Sequence, residues 1–304
     1  MNAPVSQHPG IADCLLRGGW AIDEVIDDVV EIVGVRIHRS GVTALGENDL
    51  AITGSAAALH ESPTMRAWYE LIERASILAS EPAPPRTPER APSRSNGVAL
   101  ALDEDDARRR ARLELAERDR ILRSWHGELR PEAIAVPTEA LPIVSTHVWR
   151  AARLPGHRLW SADVEVVAVV GFPHDSALPL LRGFGAGIDV RSALLHALGE
   201  CVQSLAFLAA DDIPQNQPSP AATPIFHLDH YLWPPAHATL HAWLDGRFGD
   251  REPTPCEDAV TTYTDITPAW GRGRFHVTRA RCEAAHPLVF GTPLDPAVPP
   301  HPIA

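Results

Sequence analysis

The chain has 304 residues, 45% hydrophobic and 22% charged, ordinary globular usage that excludes a disordered or fibrous protein. Its formal net charge of −12 has the wrong sign for a protein that wraps nucleic acid nonspecifically. All 27 basic residues are arginine, which excludes a Walker A lysine, a Schiff-base lysine and a lysine nucleophile together.

In chain order, residues 1–10 have no basic n-region and no apolar h-region, so no export signal is read there. Residues 27–38 (DDVVEIVGVRIH) are rich in β-branched side chains and predict a strand. Residues 63–78 place Met65, Trp68, Leu71, Ile72, Ala75 and Leu78 at helical spacing, with Ser62 as N-cap and Pro63 opening the helix. Five prolines in 81–95 predict a stiff connector without regular structure. A second helix is expected over 105–124. Asp103, Glu104, Asp105 and Asp106 crowd its start, where the helix dipole favours negative charge.

Residues 164–172 read as a buried strand, too short to cross a bilayer. The glycines of 183–187 read as a turn before a third helix over 192–210, and the proline-rich end from Gly291 reads as an extended tail. Cys14, Cys201, Cys256 and Cys282 form no CxxC pair, which fits reduced thiols in a cytoplasm better than a zinc site or a disulfide framework.

One short pattern repeats. Glu70, Glu73 and Arg74 recur as Glu114, Glu117 and Arg118, and a third helix carries Glu200 and Gln203 at the same spacing of three. Residues i, i+3 and i+4 share a helical face, so each module presents two polar heads side by side. A single such module is most simply a surface Glu–Arg pair. Glu70, however, lies among Trp68, Tyr69, Leu71 and Ile72, and Glu200 is the one charged residue of 192–210. A lone carboxylate on an apolar helix needs a proton, a cation or a hydrogen-bond donor. If three such helices converge, their oxygen-only donors suit a hard cation such as Mg²⁺ carrying phosphate. The residues thus point to a carboxylate-lined Mg²⁺–nucleotide site without a P-loop.

Other candidates carry less. His227, Asp229 and His230, with His237 and His241, could suggest a metal cluster, but loop or interface roles explain them better. His196 and Glu200 are four apart, yet the HExxH companion is missing, and His196 reads as a core or edge residue. No GxSxG elbow or GxGxxG fingerprint occurs.

At these residues the chain resembles the YcaO family. The stretch from 53–56 (TGSA) through Glu70, Glu73 and Arg74 is similar to that family's first ATP-binding motif. The stretch from 95–99 (SNGVA) through Glu114, Glu117, Arg118 and Asp119 is similar to its second. The third corresponds to 183–189 (GFGAGID) through Ala193, Ala197, Glu200 and Gln203. Residues 229–231 (DHY) resemble a later segment, and Pro299, Pro300, His301 and Pro302 the tail of azoline-forming members.

The resemblance implies an α+β fold: a YcaO-type domain whose three motif helices pack on β-sheets, followed by a proline-rich C-terminal tail. One domain over 1–304 is expected, with a shortened N-terminal region (1–50), the nucleotide motifs (51–210), a C-terminal part (211–290) and the tail (291–304). It implies that ATP contacts Glu70, Glu73, Arg74, Asp106, Glu114, Glu117, Arg118, Glu200 and Gln203. Mg²⁺ would fall to Glu70, Glu73, Glu114, Glu117 and Glu200. Arg118 would steady the transferring phosphoryl group, and the Ala304 carboxylate would be a candidate base.

The implied reaction is cyclodehydration of a ribosomally made precursor peptide. A Cys, Ser or Thr side chain adds to the preceding amide carbonyl, ATP phosphorylates the resulting oxyanion, and loss of phosphate leaves an azoline. A leader-peptide-binding partner protein is expected, with neither nucleic acid nor membrane as a partner, and a homodimer is compatible with the sequence. Leu102 and Leu205 stand where the family commonly has an asparagine ligand and an arginine, which keeps a catalytically silent scaffold subunit open. Amidine or thioamide formation by the same chemistry is the other alternative.

Overall fold

The structure is a computed structural model that describes residues 9–80, 87, 89–137, 144–209, 212–249, 251–293, 295 and 297–304, with the backbone alone for Pro9, Asn48 and Val144. The first eight residues, read above as lacking an export signal, lie outside this set, as does Ala210 at the expected end of the third helix.

The chain begins with α1 (Pro9–Arg17), β1 (Ala21–Ile32), β2 (Val35–Leu45), β3 (Ala51–Ala58) and α2 (Thr64–Ser80). It continues through β4 (Arg90–Pro92), β5 (Val98–Ala101), α3 (Glu104–Trp125), β6 (Glu132–Ile134), β7 (His147–Leu154), β8 (Glu165–Pro173) and β9 (Leu181–Gly187). It closes with α4 (Val190–Leu208), α5 (Pro224–Leu232), α6 (His237–Leu244), β10 (Thr262–Asp265), β11 (His276–Arg281) and β12 (Val289–Gly291). Among the described residues no helix is long and apolar enough to cross a membrane.

Two compact units share these elements. The first comprises Met1–Ala83, Gly97–Arg112 and Thr262–Ala280. Its antiparallel sheet β1–β2–β3 and its second sheet β10–β11–β5 enclose a core in which Trp68, Leu71 and Ile72 of α2 meet Val42, Ala56, Val98 and Val277. The strand expected over 27–38 proves to be a hairpin. Val33 and Gly34 both have positive φ, 51° and 76°, and form the two-residue turn between paired Ile32 and Val35. The β-branched run was real, but Gly34 in its middle marked a reversal.

The second unit comprises Pro84–Asn96, Leu113–Thr261 and Arg281–Ala304. Its main sheet, in the order β6–β7–β8–β9, is antiparallel throughout. Strand β8 is buried at every position except its two ends, as its unbroken apolar run requires. The glycines of 183–187 form no turn. They lie in β9, a fully buried strand, because Gly183, Gly185 and Gly187 alternate onto the face that receives α4. A Cβ at Gly183 would strike the Ala197 carbonyl oxygen, and one at Gly185 the Ala193 carbonyl oxygen. The turn follows at Ile188 and Asp189. Asp189 caps α4 by accepting from the Ser192 N–H at 2.7 Å, and Ser192 returns the bond in a capping box.

Two further expectations need correction. Residues 81–86 and 88 of the proline-rich connector are outside the described set, but Arg90–Pro92 form a strand paired with β12. Pro92 is tolerated there because this two-stranded ribbon leaves one side of β4 unpaired, where a missing N–H costs nothing. The C-terminal segment is not a free extension either. Trp125 Nε1 donates to the Pro299 carbonyl at 2.9 Å, Tyr231 donates to the Pro300 carbonyl, and Ile303 is fully buried.

Candidate functional site

In the first unit, the leading module of the repeat lies along the open edge of β3. This strand is the outer member of its sheet, so alternate backbone groups point away from β2. Helix α2 takes up two of them. The Ser55 N–H donates to Glu70 Oε2 at 2.7 Å, and Arg74 Nη1 donates to the Thr53 carbonyl at 2.6 Å. Arg74 and Glu70, one helical turn apart, are also bonded to each other. The helix can approach so closely because residue 54 is glycine, where a Cβ would strike the Ala67 carbonyl oxygen.

Glu73 accepts from the Leu100 N–H of β5 at 3.1 Å. Asp106, in the first turn of α3, is ion-paired to Arg109 at 2.5 Å and to Arg110 at 2.8 Å. The Arg109 hydrogen bond holds its carboxyl below the usual range. In this unit Glu70 and Arg74 are brought together, while Glu73 and Asp106 each have partners of their own.

The second unit repeats the arrangement. Strand β9 is the edge of the main sheet, Gly183 admits α4 as Gly54 admits α2, and the next residue's N–H, on Phe184, donates to Glu200 Oε2 at 2.9 Å. In both cases the carboxylate stands three residues beyond the alanine whose carbonyl faces the glycine. Two positions farther along β9, the Ala186 N–H bonds Glu117 of α3. Alternate N–H groups on an extended strand are about 7 Å apart, so the edge of β9 sets Glu117 and Glu200 side by side. The compensation expected for Glu200 is therefore supplied in part by a backbone donor.

Glu117 is buried, and that burial, reinforced by the Glu200 charge, pushes its carboxyl up to about 7. Arg118, His196 and the Ala186 N–H pull in the opposite direction. Arg118 lies 3.7 Å from Glu114 and 3.8 Å from Glu117. Glu114 is half-buried on α3, and Gln203 is half-buried one turn beyond Glu200 on α4. Ala304 is exposed, but His301, three residues earlier, feels the Arg118 charge, so the C-terminal segment comes close to Arg118.

A divalent cation fits this donor set. It is made of oxygen only, and it includes a buried carboxylate whose ionisation a neighbouring carboxylate opposes, a conflict that a cation in place of the proton would relieve. A pH dependence follows. Because the folded pKa of Glu117 lies above the unfolded value, the folded chain holds a proton that the unfolded chain has released between about pH 4.5 and 7. This group's contribution to stability therefore falls as pH rises through that window. Glu117→Gln, which keeps an acceptor for Ala186, is expected to gain on the order of 1–3 kcal/mol over wild type at pH 8 and little at pH 4.5. Urea unfolding at the two pH values reads this, and an equal effect at both would contradict it.

Two residues with a place at this site were missed or misread. Arg182 of β9 is buried, stacks over the Tyr231 ring at 5.4 Å and reaches the His227 carbonyl at 3.5 Å. Burial pulls its guanidinium down to about 10, so it stays charged, and Glu200 acts in the other direction. The sequence did carry a sign of it: one arginine between Leu181 and Phe184 in an otherwise apolar strand. His196, read as a core or edge residue, is exposed, because the buried stripe of α4 runs through Ala193, Ala197 and Cys201. His227 belongs to the core. Its Nδ1–H donates to the His301 carbonyl at 2.8 Å and its Nε2 accepts from the Gly291 N–H at 3.0 Å. Among the described residues no group of three or more His, Cys, Asp or Glu side chains stands ready to hold a metal ion.

The chain is similar in fold to the YcaO protein of Methanopyrus kandleri bound with AMPPCP and Mg²⁺, at a TM-score of 0.59 and 17% identity, over 96% of this chain and 94% of that one. The Escherichia coli microcin synthetase McbBCD complex is similar at 0.53 and 11% identity, over 85% and 87% of the two chains. The same complex with pro-MccB17 bound gives 0.54 and 11%, over 86% and 87%. No curated protein matches the sequence. The family model described as YcaO cyclodehydratase, ATP- and Mg²⁺-binding, matches residues 73–271, well over half of the chain. The chain therefore belongs to the YcaO family, whose cofactors are ATP and Mg²⁺.

Proposed function

We propose that this chain is an ATP- and Mg²⁺-dependent cyclodehydratase that converts Cys, Ser or Thr residues of a ribosomally made precursor peptide into azolines. The observation that carries the reading is the buried Glu117 set beside Glu200 on the open edge of β9, in a chain of this family. Glu117 and Glu200 would hold Mg²⁺, with Glu70, Glu73 and Glu114 as the further ligands that the family resemblance assigns. Arg74, Asp106, Arg118 and Gln203 would contact ATP. Bound Mg²⁺ supplies charge neutralisation on the triphosphate.

The chain's own part is electrostatic and positional. Arg118 would meet the charge that develops on the transferring phosphoryl group, and the Ala304 carboxylate would accept the proton of the attacking side chain. Phosphorylation makes the amide oxygen, otherwise a poor leaving group, leave as phosphate while the peptide nitrogen stays in the new ring. The chain is proposed to act as a single YcaO-like domain in a reducing cytoplasm, where its cysteines remain free. A partner protein would deliver the peptide. Support for this comes from the similar microcin synthetase, a complex also known with pro-MccB17 bound.

One observation favours a second reading, a nucleotide-silent scaffold subunit: the lack of a ready three-ligand group among the described residues. Incubation with ATP, Mg²⁺, a precursor peptide and its partner protein, followed by mass spectrometry, separates the readings. Loss of one water per ring is expected. Oxygen-for-sulfur exchange would assign thioamide formation instead, and an unchanged peptide would favour the scaffold.

A further inference from the structure

Arg182 is a buried cation on β9, the strand whose edge holds Glu117 and Glu200. About nine-tenths of it is covered, and its guanidinium is charged nonetheless. Nη2 donates to the His227 carbonyl at 3.5 Å, a distance at which a hydrogen bond is weak. Nε and Nη1 make no hydrogen bond among the described residues, and neither is sealed from solvent. The Tyr231 ring, 5.4 Å away, supplies a cation–π contact but no acceptor in the plane of the guanidinium. Two donors of a nearly buried cation therefore stand ready for an acceptor from outside the chain.

The charge calls for an anion. Among the described residues Glu200 is the one carboxylate that Arg182 feels, and the two form no ion pair. Once Glu200 turns to a metal ion, as the cyclodehydratase reading requires, that compensation is withdrawn and the buried charge stands alone. A guanidinium is weakly hydrated and well suited to phosphate in such a place. Its position favours the peptide's side of the reaction. Residue 182 stands two positions before Phe184, which holds Glu200. Tyr231, under the guanidinium, donates to the Pro300 carbonyl of the C-terminal segment, whose end carries the proposed base.

We propose that Arg182 binds the phosphoryl group once it has passed to the peptide, not while it is part of ATP. This rests on the cyclodehydratase reading. As the former amide oxygen bonds to phosphorus, the bond from phosphorus to the ADP oxygen breaks and its electron pair leaves with ADP. The C–O bond then breaks, both electrons going with phosphate, while the nitrogen releases its proton to water and closes the C=N bond. Arg182 neutralises charge on the phosphate ester and then on the departing phosphate.

The test uses the full chain with Mg²⁺ and either the non-transferable analogue AMPPCP or ADP with inorganic phosphate. Phosphate titrated into the Mg²⁺–ADP complex, followed by ³¹P NMR, stands in for the departing group. Arg182→Met is expected to weaken phosphate about tenfold or more, with Mg²⁺–AMPPCP affinity as in wild type. Arg182→Gln, which keeps a donor for the His227 carbonyl should the methionine variant fail to fold, is expected to behave alike. Equal losses for phosphate and AMPPCP would make Arg182 a nucleotide ligand and overturn the proposal. Unchanged phosphate binding in a variant that still binds Mg²⁺–AMPPCP would overturn it too, leaving the cyclodehydratase reading in place. Failure of the wild-type chain to bind Mg²⁺–AMPPCP would remove that reading, and the proposal with it.

Discussion

Glu200→Gln is expected to abolish most Mg²⁺–nucleotide affinity while leaving the fold intact. The glutamine oxygen can still accept the Phe184 N–H, so the edge of β9 stays covered. The negative charge is lost, and with it one of the two causes that raise the Glu117 carboxyl, so the proton there is held less tightly. A fall of roughly 100-fold, about 2.7 kcal/mol, is expected for an ATP analogue titrated calorimetrically with Mg²⁺. The thermal midpoint should move by no more than a few degrees, since the hydrogen bond survives. Wild-type affinity in this variant would take Glu200 out of the ligand set.

Gly183→Ala is expected to have the opposite signature, a large loss of stability whatever the ligand. The added Cβ would meet the Ala197 carbonyl oxygen and the Cys201 backbone nitrogen. These are backbone atoms of a helix that cannot turn aside as a flexible side chain could. Relief requires lifting α4 off β9, which would also pull Glu200 from Phe184. A cost above about 4 kcal/mol is expected in urea unfolding. Gly199, on the exposed side of the same helix with nothing near its absent Cβ, is the matched control. Its change to alanine should stabilise by about 0.5–1 kcal/mol. Similar behaviour of the two variants would contradict the close packing described for β9 and α4.

The sequence was most legible where one periodicity dominated. Helices α2, α3 and α4 and strand β8 lie within a few residues of their expected bounds, because apolar spacing and the caps act locally. The glycines of 183–187 misled because glycine usually breaks regular structure. Their spacing of two, matched to the pleat of a strand, was the signal for a face that receives a helix backbone. The hairpin at Val33 and Gly34 was hidden in a run of strand-forming residues, whose type favours a strand but not its direction.

At the candidate site, the echo of Glu70 and Glu73 in Glu114 and Glu117 was legible, but the difference between the modules was not. Glu70 and Arg74 bond the edge of β3 and each other. Glu117, buried beside Glu200, is left with a carboxyl poised near neutrality. That distinction depends on which strand edge each helix crosses, which is a tertiary matter. The docking of the C-terminal segment and the partners of Arg182 were invisible for the same reason: Trp125, Tyr231 and His227 lie far away along the chain, although Arg182 itself stood out in its apolar strand.

The most direct test is a calorimetric titration of the wild-type chain with ATP at pH 8, once with Mg²⁺ and once with a chelator. Saturable binding that requires the metal, and that weakens as the pH is lowered through 7 while Glu117 takes up its proton, is the expected result. Binding that ignores both the metal and the pH, or none at millimolar nucleotide, would contradict the claim that this carboxylate pair holds a metal–nucleotide complex.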